Sequence, residues 1–292
     1  MTTSEPPRYP YVAIDVSEEE ADEAGALLFE LGAAGVEQRD ATTLARGASG
    51  KVTLVASFER AEDAREATAE LPEAWAPRVE EVVGDAWRDE WKKHFEPFRV
   101  CEGVVVRPPW REYAATPGER VVVLEPGRAF GTGLHETTSL VAELLAETPL
   151  DGVTVLDVGC GSGVLTLIAL ALGATRARAV DVDPDAVAVT RENADRNGVS
   201  DRVETDETPV EALPGSYTVV LANIEAKTLV DLAAALVARV APGGLLVLSG
   251  ILSSEVAPSQ LEDVRRAFAT LKEEGVRGKG EWIAVSLRKE RK

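Results

Sequence analysis

The chain has 292 residues, 45% hydrophobic and 28% charged, which is the composition of a globular protein, and at roughly 150 residues per domain its length suggests about two domains. Lys and Arg total 31 against 50 for Asp and Glu, a formal net charge of -19 that repels phosphate backbones and attracts basic partners, so no duplex nucleic acid is expected as a substrate. Two cysteines, Cys101 and Cys160, and two histidines give neither a disulfide framework nor a metal site, which fits a reducing compartment.

The N-terminal Met-Thr-Thr-Ser-Glu-Pro-Pro lacks a basic start and an apolar core, and the longest apolar stretch, Val164 to Leu172, falls well short of the ~20 residues of a membrane span. A cytoplasmic, monomeric protein without a membrane partner is expected. Residues 9–16 alternate as a strand, and 18–31 place Ala21, Ala24, Leu27, Leu28 and Leu31 on one helical face behind a Ser17/Glu20 capping box. Gly32 ends that helix; 35–38, 51–58 and 78–83 read as strands and 60–71 as a helix. The order βαββαβ over residues 1–83 is the ferredoxin-like split-βαβ pattern, an α+β unit that often serves for docking. Residues 84–98 read as a linker helix up to Pro97, with Trp87, Trp91 and Phe95 on one face, best explained by core packing. From about residue 120, short Val-rich runs alternate with helical segments, the sign of a parallel α/β sheet. Its strands fall at 153–158, 178–182, 217–222, 245–249 and 281–287.

In Asp157-Val-Gly159-Cys-Gly161-Ser-Gly163, glycines leave a buried strand and open a helix, where backbone without Cβ lets a ligand approach. Asp181 follows Gly159 by 22 residues at the end of the next strand, where a carboxylate accepts both hydroxyls of a ribose. A dinucleotide fingerprint would need its third glycine at Val164; the run here is Gly-x-Gly-x-Gly. That run, after an acid on the strand, resembles motif I of the class I S-adenosylmethionine methyltransferases, which implies S-adenosyl-L-methionine as cofactor and no pyrophosphate to cradle. The resemblance implies that Asp157 organises the loop and the cofactor's amino group; the alternative is a buried carboxylate capping nearby amides.

Residues 125–139, Glu-Pro-Gly-Arg-Ala-Phe-Gly-Thr-Gly-Leu-His-Glu-Thr-Thr-Ser, are similar to the signature of the ribosomal protein L-eleven methyltransferases (PrmA family). Further marks are 31–36, 87–97, 107–110, 222–224, 248–252 and Glu281-Trp282. The resemblance implies a Rossmann-like doubly wound class I methyltransferase domain over 99–292, and transfer of methyl groups to lysine side chains or the N-terminal amine of a basic large-subunit ribosomal protein held by the N-terminal domain. It also implies that Thr138, Gly159, Asp181 and Asn223 contact the cofactor with Gly161 and Gly163, and that Phe130, Gly131, Thr132, Gly133 and His135 form the active-site loop. His135 is either a ligand contact or polar packing at a helix start, and His94 is structural. Two departures stand out: Glu125 replaces the usual Asp, and Glu225 follows Asn223-Ile224 in place of an apolar residue, where it is either a carboxylate near the expected amine site that tunes substrate choice or, the simpler reading, a solvated helix-start charge favoured by the dipole.

Asn223 ends its strand at the sheet's carboxyl edge, where its carbonyl could orient a nucleophilic amine, and Ile224-Glu225 cannot stack a flipped base. Protein amines are therefore favoured over nucleobases. The competing readings are a small-molecule or RNA methyltransferase, and a silent cofactor-binding scaffold.

Overall fold

Residues 8–17, 20–33, 35–39, 52–58, 60–83, 95–125 and 133–291 are described by the computed structural model. The chain divides into two units, Met1–His94 and Phe95–Lys292. The first runs β1 (Arg8–Val16), α1 (Ala21–Glu30), β2 (Gly35–Arg39), β3 (Val52–Ser57), α2 (Ala61–Glu70) and β4 (Arg78–Val83), the βαββαβ order expected. Its sheet has the order β2-β3-β1-β4 and is antiparallel throughout. Alternate residues Val12, Ile14 and Val16 of β1 join Leu54 and Ala56 of β3 with Leu28 of α1 and Ala64 of α2 in a core of their own. On the other parity of β1, Asp15 accepts from Thr53 Oγ1 at 2.6 Å and pairs with Arg78 at 2.8 Å, linking three strands. The expected capping box is only half formed. Glu20 accepts from the Ser17 N–H and hydroxyl at 3.2 and 2.6 Å, so that hydroxyl is used as a donor and α1 starts at Ala21.

Most of the expected linker helix, with Trp87 and Trp91, lies outside the described residues; Phe95 is buried edge-on to Phe98, with ring centroids 6.0 Å apart. After Pro97 the chain enters a three-stranded sheet that the sequence reading did not anticipate: β5 (Phe98–Cys101), β6 (Val104–Arg107) and β7 (Arg120–Val123). β6 is buried at Val104, Val105 and Val106 alike, so it carries no alternation to betray it.

The remaining elements are α3 (Glu136–Ala146), β8 (Thr154–Val158), α4 (Val164–Ala171), β9 (Arg176–Val180), α5 (Pro184–Arg196), β10 (Val203–Asp206), β11 (Tyr217–Asn223), α6 (Ala226–Asp231), α7 (Ala233–Arg239), β12 (Val240–Leu252), α8 (Gln260–Ala267), β13 (Lys272–Lys279) and β14 (Trp282–Arg288). They build a seven-stranded sheet in the order β10-β9-β8-β11-β12-β14-β13. Period-two burial separates its two faces. Val155, Val219, Leu221, Leu245 and Val247 enter one core with α3 and α4, while Leu156, Val220, Leu246 and Leu248 enter another with α6, α7 and α8.

The sheet expected to be parallel is so from β10 to β12 and mixed beyond: β14 runs antiparallel to both β12 and β13. Only Gly280, at φ 56, and Glu281 connect β13 to β14, and so short a turn admits nothing but a hairpin. β9 also stops at Val180, leaving Asp181 and Val182 just beyond the strand. β8 lies between β9 and β11, so strand order reverses there and the carboxyl ends of β8, β9 and β11 converge on one crevice. No helix among the described residues is long and apolar enough to cross a membrane.

Candidate active site

The glycine turn follows β8 directly. Gly159, Gly161 and Gly163 take φ values of 72°, 53° and 78°, the left-handed region where a Cβ is costly. The turn's amides are already engaged: the N–H groups of Gly159 and Cys160 donate to Val180 O at 2.8 and 3.2 Å, that of Gly163 to Cys160 O at 2.8 Å, and that of Gly161 to Asp181 Oδ2 at 2.9 Å. A phosphate cradle leaves such donors pointing at its ligand; here four of them are spent inside the protein.

Two carboxylates stand behind the turn. Asp157 is 1% exposed, and its Oδ2 accepts from the N–H and hydroxyl of Thr166 in α4 at 3.1 and 2.7 Å. Burial pushes its carboxyl up to about 6, the Thr166 bonds pull the other way, and the negative charge of Asp181 adds to the rise. Both expected functions of Asp157 therefore start from the same fact, a carboxylate tying the strand end to the first turn of α4. Asp181 is half-buried and its Oδ1 accepts from Asp183 N–H at 3.1 Å, so the side chain fastens the glycine turn as well as lining the crevice. An anion would meet both charges, whereas a ligand carrying a cationic group would be attracted. Val182 is 84% exposed beside Asp181, a bare apolar surface at the strand end that the sequence reading passed over.

The second half of the site is built on β11 and α3. Asn223, half-buried at the end of β11, donates from Nδ2 to Thr137 Oγ1 at 3.2 Å. Thr137 Oγ1 lies 2.9 Å from His135 Nδ1, and the Thr137 main-chain N–H donates to the same nitrogen at 3.4 Å, making His135 the N-cap of α3. The His135 ring meets Trp282 of β14 edge-on at 5.0 Å. The hairpin that carries Trp282 is fixed to α3 by Lys279 Nζ to Ser139 Oγ at 2.9 Å and by Arg277 to Glu147 at 2.8 Å. His135 thus packs at a helix start and is linked to the end of β11 through Thr137.

Ile224 joins the two halves. A Cβ on Gly159 would lie 2.3 Å from Ile224 Cγ2, and one on Gly250, at φ 85, only 2.2 Å from Ile224 O. The chain leaving Asn223 therefore passes between two positions that must be glycine. Gly133, at φ 79, approaches Phe98 and Val164, which sets the end of the expected active-site loop beside the start of α4. Thr138 is buried in the first turn of α3 with its N–H on His135 O. Phe130, Gly131 and Thr132 lie outside the described residues.

Sequence reasoning also missed the anchor of that loop. Asn193, in the last turn of α5, and Asn197, its C-cap four residues on, bond both main-chain groups of Glu125 and of Val123 respectively at 2.6 to 3.0 Å, as a neighbouring strand would. Asn193 also donates to Ser162 O at 3.0 Å, tying the loop to the glycine turn. The available signal was two poor helix formers one turn apart. Glu125 is accounted for by an ion pair with Arg196 at 2.5 Å. Glu225 is the exposed N-cap of α6 and borders a cavity of about 390 Å³ shared with Lys227, Asp263 and Arg266, so both signs of charge meet there. Cys160 is buried, and that burial together with Asp157 raises its thiol far above the usual range, which disfavours the thiolate.

The family described as ribosomal protein L11 methyltransferase (PrmA) matches residues 8–290. A ribosomal protein L11 methyltransferase from Sorangium cellulosum is 60% identical over 256 residues, covering 85% of this chain and 81% of that protein. One from Pelobacter propionicus is 43% identical over 221 residues, covering 73% and 70%. Among solved structures, a ribosomal protein L11 methylase from Lactobacillus delbrueckii subsp. bulgaricus is similar with a TM-score of 0.60 and 26% identity, over 68% of this chain and 100% of that one. With a match that runs through both units, the chain belongs to the ribosomal protein L11 methyltransferase family.

Proposed function

We propose that this protein transfers methyl groups from S-adenosyl-L-methionine to lysine side-chain and N-terminal amines of ribosomal protein L11, acting as a cytoplasmic monomer. The observation that carries the reading is the pairing, in a chain of this family, of a glycine turn that offers no anion cradle with a neutral carboxamide at the neighbouring strand end. Asp181 would accept the ribose hydroxyls, Asp157 and the turn of Gly159, Gly161 and Gly163 would hold the methionine portion, and Val182 offers an apolar surface for the base. Phe130, Gly131, Thr132, Gly133 and Thr138 complete the cofactor and loop contacts. The negative field of Asp157 and Asp181 suits a cofactor with an ammonium and a sulfonium.

Bound S-adenosylmethionine supplies an electrophilic methyl beside a positive charge that favours the neutral form of an incoming amine. A lysine at its ordinary pKa of ~10.4 must lose a proton before it can attack, and desolvation at the site helps it do so. Asn223 then accepts one of the nitrogen's remaining hydrogens through Oδ1 and aims its lone pair, with His135 beside it. No side chain is required to form a covalent intermediate. The N-terminal unit, read as ferredoxin-like with a linker after residue 83, would dock the ribosomal protein, and the net charge of -19 suits a basic partner.

Incubation with labelled S-adenosylmethionine tests the reading. Transfer to purified ribosomal protein L11 is expected; transfer only to RNA or metabolites would reassign the substrate, and binding without transfer would make the protein a scaffold.

A further inference from the structure

The hydrogen bonds around α3's first turn have a direction. A main-chain N–H can only donate, so the 3.4 Å bond from Thr137 N to His135 Nδ1, though weak, makes that nitrogen an acceptor in the neutral ring and puts its proton on Nε2. The Thr137 hydroxyl, 2.9 Å from the same nitrogen, must then give its hydrogen to the ring, which leaves its lone pairs for the Asn223 amide. Asn223 consequently turns Nδ2 toward Thr137 at 3.2 Å and Oδ1 away from it. With the amide reversed, Oδ1 would need the Thr137 hydroxyl as donor, and Nδ1 would have to donate to Thr137 Oγ1 against the main-chain N–H. Thr137 is 4% exposed, so water cannot readily take its place.

We propose that Thr137 is a positioning residue for methyl transfer: through its hydroxyl, the polarity of the α3 N-terminus is passed to Asn223, so that the carboxamide presents an acceptor and not a donor to the substrate amine. This rests on the reading of Asn223 given above. An amide presenting NH₂ would repel the amine's hydrogens and compete for its lone pair, so an unfixed Asn223 spends part of its time in a form that opposes the reaction.

Thr137→Val removes the hydroxyl and keeps the shape; Thr137→Ser restores it. In the protein without cofactor or substrate, hydrogen exchange of the Asn223 side-chain amide, followed by NMR, should quicken at least about tenfold in Thr137→Val and return toward the wild-type rate in Thr137→Ser. With S-adenosylmethionine and ribosomal protein L11, Thr137→Val should lose about tenfold or more in kcat at unchanged cofactor affinity, and the loss should vanish when Thr137→Val is made in an Asn223→Ala background. Unchanged exchange overturns the proposal whatever the substrate proves to be. So does an equal loss in the Asn223→Ala background, which would mean that Thr137 acts by another route. A wild-type protein inert toward ribosomal protein L11 would count against the proposed function alone, because the exchange measurement does not depend on it.

Discussion

Replacing Gly159 by Ala should damage this protein through Ile224 before any cofactor is involved. The added Cβ would sit at φ 72, a conformation costing an L-residue about 1–2 kcal/mol, and 2.3 Å from Ile224 Cγ2, an overlap of the kind that costs about 1–3 kcal/mol when a packed site must give way. Gly159→Ala should therefore lose about 2–5 kcal/mol of stability. Ile224→Ala removes Cγ2, leaving a Cβ 3.8 Å from the new methyl, and as a half-buried residue it should cost about 1–2 kcal/mol. The double variant should consequently be more stable than the sum of the singles by about 1–3 kcal/mol. Gly250→Ala is the control. Its Cβ meets the Ile224 carbonyl oxygen at 2.2 Å, a backbone atom that Ile224→Ala leaves in place, so that pair should add. Denaturant unfolding of all five variants measures the cycle, with cofactor affinity determined by calorimetry alongside. Additivity of Gly159→Ala with Ile224→Ala would refute the packing argument. Stability restored without affinity would show that Gly159 is needed at close approach to the cofactor as well.

Asp181→Ala should weaken S-adenosylmethionine binding by ~1.5–3 kcal/mol for each charge-assisted bond lost, and calorimetry showing wild-type affinity would remove the residue from the site. Asp157 is displaced from 3.8 to about 6 by burial, so the folded state holds its proton more tightly; that contribution is complete below pH 3.8 and is lost as pH rises through 6, about 3 kcal/mol in all. Asp157→Asn keeps an acceptor for Thr166 and should gain on wild type over that window in unfolding experiments, where a pH-independent difference would contradict the assignment. A chain beginning at Phe95 retains both cores of the second unit and should still bind S-adenosylmethionine while losing most methylation of ribosomal protein L11; full activity would sink the docking role of the N-terminal unit. Asn223→Asp should keep cofactor affinity within a few-fold but move the rising limb of the kcat–pH profile upward, and an unmoved profile would exclude Asn223 from contact with the amine.

The parts of this fold that were legible in the sequence are those whose burial is periodic or whose backbone needs glycine. β1, β3, β8 and β11 alternate or run apolar between turn residues, and the three glycines after Asp157 all adopt positive φ. β13 left no such trace. Its Lys-Glu-Glu-Gly-Val-Arg-Gly-Lys is an edge strand, where charge and glycine protect against mispairing and erase the hydrophobic pattern. β10, Val-Glu-Thr-Asp, is the opposite edge of the same sheet and was missed for the same reason. Within the site, Asp181 and Asn223 were found because strand ends and ribose chemistry point to carboxylates and amides. Thr137 and Asn193 were not, because each matters through a partner distant in sequence, and spacing along the chain carries no record of that partner; Val182 was not, because an exposed apolar residue at a strand end looks no different in sequence from a buried one.

The carboxamide at the end of β11 also reconciles two opposing demands of the proposed reaction. A chain of net charge -19 gathers basic protein efficiently, yet every carboxylate close to the target nitrogen would stabilise its ammonium form, which has no lone pair to give. A carboxylate at position 223 would hold the amine as well as Asn223 does, and better, but in the unreactive protonation state. The side chains linked around that position, His135, Thr137, Asn223 and Trp282, include no carboxylate, while Asp157 and Asp181 stand at the glycine turn, where a cationic cofactor would answer their charge. Negative charge on the surface would then draw the substrate in, while the group that bonds the amine at position 223 is an uncharged amide, with Glu225 exposed at the start of α6 two residues on, and would let the amine arrive neutral. The two effects are separable, since salt should weaken the first by screening and leave the second, set at hydrogen-bond distance, almost untouched.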